Sequence, residues 1–170
     1  MNNIKIFDEL IPENEQIIIK ALLSNEFFPW YYNPQTILTT LRNRSQFTHT
    51  FYKENKIYSD NFDILVDCFQ PYIPEFKSYK INKIKANLNI AHSDKKILEP
   101  HQDLPTSGVT YLYYVNDSDG PTRLYESRWF PKKVYPKQGR LIKFPSNMFH
   151  TGDIPRKYDR RMVINFVFEE

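Results

Sequence analysis

From residue 80 to residue 168 the chain is cut into short β-favouring runs: KIKANLNI, KILEPHQ, GVTYLYYVN, TRLYE, KKVYP, RLIKF, MFHTG and RRMVINFVF, with NDSDG, PKQG, PSN and IPRKYD among the separators. The Gly, Pro, Asn, Asp and Ser of the separators reverse the chain at close intervals, so each run is a strand rather than part of a long helix. Eight strands in succession predict a closed or two-sheet architecture, and we expect a jelly-roll barrel (a double-stranded β-helix) over residues 80–170. The fold class is therefore mainly β with flanking helices.

The first 79 residues carry the helical signals. After Pro12 the segment ENEQIIIKALL has acids in its first turn and an apolar run suited to one packed face. Ser59 is placed to cap a second helix, SDNFDILVDCFQ, where Phe62, Leu65, Val66 and Phe69 recur at helical spacing and Pro71 and Pro74 close the segment. The stretch FTHTFY alternates and is read as an edge strand. We expect residues 1–79 to buttress the barrel on one side. A chain of 170 residues suits one domain, which buries about two-thirds of its unfolded surface.

MNNIKIFDEL lacks the basic start and apolar stretch of a signal peptide, and no run reaches the length of a membrane span. The expected location is cytoplasmic, with the single cysteine, Cys68, in the core. A net charge of +3 is too mild to argue for nucleic acid. Between Arg123 and Lys143, however, seven bases meet only Glu126, with Trp129 and Phe130 among them. This is either a solvated strand pair or a surface that docks a substrate.

The chemistry-bearing residues lie in EPHQDL. On a strand, positions i and i+2 share a face, so His101 and Asp103 can aim together into a barrel mouth, and His150 in SNMFHTGD can join them because a jelly roll brings late strands beside early ones. His92 and Asp94 repeat the spacing but fall in the AHSDKK loop, and His49 precedes the barrel. Two imidazoles and a carboxylate suit a non-haem Fe(II) oxygenase, and they also suit a zinc hydrolase or a cupin-like metal-binding protein. Arg161 separates the readings. At the start of the last strand, its guanidinium can hold the far carboxylate of a dicarboxylic acid through two parallel hydrogen bonds, whereas strand parity sends its neighbour Arg160 to the opposite face.

The ordered set PHQD, VTYLYYVN, DGPTRLY, VYPKQGRLIKF, FH and RMVINFVF resembles the Fe(II)/2-oxoglutarate-dependent dioxygenases, within them the prolyl-4-hydroxylase-like group, over roughly residues 80–168. The resemblance implies Fe(II) on His101, Asp103 and His150, and 2-oxoglutarate held by Arg161. Tyr114 falls where relatives carry a tyrosine whose hydroxyl joins that arginine. Asn89 stands where many carry a tyrosine reaching the cosubstrate, so here the chain departs from the pattern. Parity places Val163, Asn165 and Val167 on the face shared with Arg161, which makes Asn165 a further cosubstrate candidate.

The implied reaction is oxidative decarboxylation of 2-oxoglutarate by O2, coupled to hydroxylation of a substrate C–H bond. Halogenases of the superfamily lack the carboxylate ligand that Asp103 supplies. Nucleic-acid dealkylases carry a second arginine where this chain has Val167. The remaining expectation is a protein or peptide substrate, a peptidyl proline, with Trp30 and Trp129 as candidate walls of its groove.

Overall fold

The computed structural model describes residues 3–34, 45–92, 99–127 and 130–170. In chain order the elements are β1 (Lys5–Phe7), α1 (Glu13–Ser24), β2 (Tyr31–Asn33), β3 (Gln46–Lys53), β4 (Lys56–Ile57), α2 (Phe62–Phe69), α3 (Glu75–Ser78) and β5 (Lys80–Ile90). There follow β6 (Gly108–Tyr114), β7 (Thr122–Leu124), β8 (Lys132–Val134), β9 (Leu141–Pro145), β10 (His150–Gly152) and β11 (Arg160–Glu169). The large sheet runs β1-β9-β6-β11-β5-β3-β2, with β4 added on β3, and the small sheet runs β10-β7-β8. All of the pairs are antiparallel.

Two apolar clusters show how the layers stack. Leu112, Tyr114, Ile142, Phe144 and Val163 of the large sheet meet Leu124 and Val134 of the small one, which is the interior of the jelly roll. On the opposite face of the large sheet, Ile84, Ala86, Tyr113, Ile164 and Phe166 pack with Ile19 and Leu23 of α1 and Leu65 and Phe69 of α2. The period of two along β11 therefore divides the strand. Met162, Ile164, Phe166 and Phe168 serve the helix side, leaving Arg161, Val163 and Asn165 for the interior. No helix among the described residues is long and apolar enough to cross a membrane.

The N-terminal segment does more than buttress. It supplies β1 to one end of the large sheet and β2, β3 and β4 to the other. FTHTFY, expected at an edge, is flanked by β5 and by β2 and β4. His49 and Phe51 are buried on this strand. Ser59 acts one step earlier than a helix cap at its own position would: α2 starts at Phe62, and the Ser59 hydroxyl accepts from the Asn61 N–H at 3.2 Å and pairs with His49 Nε2 at 2.8 Å.

Glu75 of α3, 6% exposed, ties the helix layer to the sheet. It accepts from the Tyr111 hydroxyl at 2.6 Å and from Lys143 Nζ at 2.5 Å. Burial pushes its carboxyl upward, but the Lys143 and Tyr111 hydrogen bonds outweigh this and hold it below the usual range. Glu75→Ala should cost about 2–3 kcal/mol, the scale of charged hydrogen bonds lost from a covered site, read as a lowered Tm at neutral pH. Because the folded-state pKa is depressed, this contribution is present above the unfolded value of about 4.5 and is lost as pH falls through the folded one. The gap between variant and parent should therefore narrow in acid, and a gap independent of pH would reject the ion pair as its source.

Candidate metal centre

His101 and His150 face each other across an isolated antiparallel bridge, each backbone N–H donating to the other's carbonyl at 2.9 Å. Their side chains leave the ladder on the same side, with ring centroids 4.5 Å apart. Two residues beyond His101, the Asp103 N–H donates to the Ser146 carbonyl at 3.0 Å, which turns its carboxylate back to the imidazoles. Asp103 Oδ2 lies 3.5 Å from His150 Nε2, and one candidate donor atom from each of the three residues falls within 4.8 Å of the others. Among the described residues this is the one such group of His, Cys, Asp and Glu.

The surroundings prepare these donors. His150 Nδ1 lies 3.0 Å from the Met148 carbonyl, which only accepts, so Nδ1 is the donor there and Nε2 is turned toward Asp103. Asp103 Oδ2 accepts from the fully buried Thr110 hydroxyl at 2.9 Å. Burial, with the neighbouring His150 next, brings His101 down to about 4, so its ring is neutral at pH 7. Burial pushes the Asp103 carboxyl up, but His150, Lys83 and His101 together hold it below its ordinary value. A neutral His101 imidazole beside an ionised Asp103 carboxylate matches what a divalent cation requires of its ligands. His101 Nδ1 is also buried without a hydrogen-bond partner among the described residues. The donor set thus fits a metal of the Fe(II) or Zn(II) type.

Arg161, 3% exposed, lines the same cavity of about 180 Å³ as the three donors. Its Nε donates to the Gly120 carbonyl at 2.9 Å and its Nη2 to Thr122 Oγ1 at 2.8 Å. Tyr114 reaches it through that threonine, donating to the same Oγ1 at 2.6 Å, and its ring lies 5.6 Å from the guanidinium carbon. Gly152 packs against Arg161: an added Cβ would come within 2.9 Å of Nη1. Asn89 stands opposite Arg161 in the β5–β11 register and Asn165 opposite Lys85, and both line the cavity.

Other candidates lie elsewhere. His92 is exposed past the end of β5, and its N–H donates to the Pro155 carbonyl. Asp94 and Trp129 fall outside the described residues. Trp30 packs against the helix-side core, its indole donating to the Leu23 carbonyl at 3.2 Å, and it is not among the residues lining the cavity. In the basic stretch, Arg123 forms a forked pair with Asp153, Arg140 pairs with Asp8 and Lys143 with Glu75, so these three tie distant elements together.

Parity puts Thr110 on one face with Leu112 and Tyr114, but the sequence alone gives no site role to Thr110, Thr122, Lys83 or Lys85. For the lysines a signal existed. In KIKANLN the apolar Ile84, Ala86 and Leu88 alternate with Lys83, Lys85, Asn87 and Asn89, and the polar set reads as a solvated face until the small sheet is seen to close over it. Lys85, only partly exposed, is brought down to about 8 by burial first and then by Lys83, against the pull of Asp103.

No family model matches the sequence, and no curated protein matches it. Solved structures do match the fold. A member of the 2OG-Fe(II) oxygenase family from Burkholderia pseudomallei superposes with a TM-score of 0.75 at 12% identity, covering 98% of this chain and 85% of that one. A prolyl hydroxylase from Trichoplax adhaerens, in complex with a hypoxia inducible factor peptide fragment, gives 0.68 at 18% identity over 99% and 84%. The epimerase SnoN, in complex with Fe3+, alpha ketoglutarate and nogalamycin RO, gives 0.68 at 13% identity over 99% and 79%. This chain shares their jelly-roll fold.

Proposed function

We propose that the chain is an Fe(II)- and 2-oxoglutarate-dependent dioxygenase that hydroxylates a C–H bond. The observation that carries this is the placement of Arg161 in one cavity with His101, Asp103 and His150. A zinc hydrolase or cupin-like binding protein could use the three donors, but it has no standing need for a buried guanidinium beside them. That two of the solved structures sharing the fold are described as a 2OG-Fe(II) oxygenase and as a complex with Fe3+ and alpha ketoglutarate supports the same choice.

Iron held by the two imidazoles and the carboxylate would supply the O2-dependent chemistry that couples decarboxylation of 2-oxoglutarate to C–H oxidation. The chain's own residues do the positioning. Thr110 and Met148 orient the ligands, Gly120 and Thr122 fix the guanidinium, and Arg161 takes the distal carboxylate of the cosubstrate, with Asn89 and Asn165 along the wall between. Val167, buried in β11, offers no second cation for a nucleic-acid backbone. Oxidation of a peptidyl proline is the substrate class the resemblance brings with it, and an apolar groove at Pro100, Tyr125 and Phe149, next to the metal ligands, would take an extended chain. A reduced cytoplasmic setting suits both Fe(II) and the buried thiol of Cys68.

The test is spectroscopic. Anaerobic protein with Fe(II) and 2-oxoglutarate should develop a weak visible charge-transfer band, and in air it should consume the cosubstrate slowly without added substrate. Absence of both, with tight zinc binding, would favour the hydrolase. Gly152→Ala should crowd Nη1 of an arginine pinned on its other side, raising the 2-oxoglutarate concentration for half-saturation about tenfold. An unchanged titration would mean the guanidinium does not touch the cosubstrate.

A further inference from the structure

β5 sends Lys83, Lys85, Asn87 and Asn89 into the cavity and keeps its apolar residues for the helix side. A cation turned into a covered cavity loses hydration and has to be matched by an anion. Lys83 has a partial match, its Nζ 3.5 Å from Asp103 Oδ1, and Lys85 forms no ion pair among the described residues. The proposed cofactors do not supply the missing charge. With a divalent ion and a 2-oxoglutarate dianion in place, Asp103 and the two cosubstrate carboxylates balance the ion and Arg161, and the two lysines then face only Glu99 among the cavity's remaining carboxylates, so one positive charge is left over.

Register places that excess. Asn89 pairs across to Arg161, Lys85 to Asn165 and Lys83 to Val167, so the lysines lie along β5 away from the arginine and toward the Asp103 end. That is where a C–H bond must come to be oxidised. The buried amide oxygens of Asn87 and Asn165 have no hydrogen-bond partner among the described residues, and 2-oxoglutarate, an acceptor throughout, gives them none.

We propose that the substrate of this site is a small carboxylate-bearing molecule of amino-acid size, its carboxylate received by Lys83 and Lys85 next to the carbon that is oxidised. The inference rests on the dioxygenase reading and replaces the peptidyl proline that the resemblance brings with a free molecule: a carboxylate at the target, with an N–H donor for the amide oxygens, where a peptide would be neutral.

The test is binding, read by calorimetry on protein loaded anaerobically with Mn(II) and 2-oxoglutarate. The probes are free and N-acetylated amino acids matched with their carboxamides, beginning with N-acetyl-L-alanine against N-acetyl-L-alaninamide, both of which keep the amide N–H, and inorganic phosphate as a second anion. The best acid should bind at least about tenfold more tightly than its amide, the scale of one charged hydrogen bond in a covered site. Lys85→Met should erase that preference and Lys85→Arg should keep it. Equal binding of acid and amide, no binding by any acid of the set, phosphate binding as well as the acids, or a Lys85→Met protein that weakens only for 2-oxoglutarate would each overturn the proposal. The outcomes stay separable. A protein without the charge-transfer band and without slow cosubstrate consumption fails as a dioxygenase whichever probe binds, whereas one with both but no preference for acids fails only here.

Discussion

His101→Ala abolishes metal retention, and His92→Ala leaves it intact: this is the largest effect expected of any single substitution in the chain. His101 shares a bridge with His150 and a donor cluster with Asp103, so its removal leaves two donors where three were. Among the described residues no other His, Cys, Asp or Glu joins the cluster, and the nearby Lys83 and Lys85 would repel a metal ion. Affinity should fall on the order of 10³-fold, about one ligand's share of the free energy of a protein metal site. Metal content after dialysis, with Fe(II) and Zn(II) titrations of both variants, measures it. His92 lies past the end of β5 and serves as the control for a histidine lost anywhere; equal loss from both variants would overturn the choice of ligands.

Arg161→Ala comes second, and its signature differs. Metal should be retained while 2-oxoglutarate binding weakens by about 10²–10³-fold, or about 3–4 kcal/mol, since a buried carboxylate loses its only paired guanidinium. Truncation also strands the Gly120 carbonyl and leaves the Thr122 hydroxyl with Tyr114 as its remaining donor, so some stability goes with it. Arg161→Lys separates the two effects. One ammonium restores charge but cannot reach both structural acceptors and the cosubstrate, so recovery should be partial. Arg160→Ala, at an exposed position on the same strand, should change neither quantity. Titrations of each metal-loaded variant with 2-oxoglutarate decide the matter, and an Arg160 effect as large as that of Arg161 would reverse the assignment.

The parts of this molecule legible in its sequence are those that depend on local periodicity. The strand runs after residue 80 and the helix after Pro12 announce themselves, because period and turn chemistry are properties of neighbouring residues. Parity also placed Arg161, Val163 and Asn165 together, since one face of a strand follows from counting. What stayed hidden depends on partners far away in the chain. FTHTFY reads as an edge until β2 and β4 are seen on one side of it and β5 on the other. The bases at Arg123, Arg140 and Lys143 read as one surface until Asp153, Asp8 and Glu75 arrive to pair with them. Lys83 and Lys85 look solvated for the same reason: alternation reports two faces but does not say which of them will be roofed.

The isolated bridge between His101 and His150 has a kinetic consequence. It joins residues far apart in the chain, and contacts of high sequence separation form slowly. Partly folded chains therefore hold no preassembled chelate, and a titrated cation would select the finished state alone, raising the melting temperature in proportion to the logarithm of its free concentration. Ion uptake during refolding would then clock the closing of that bridge.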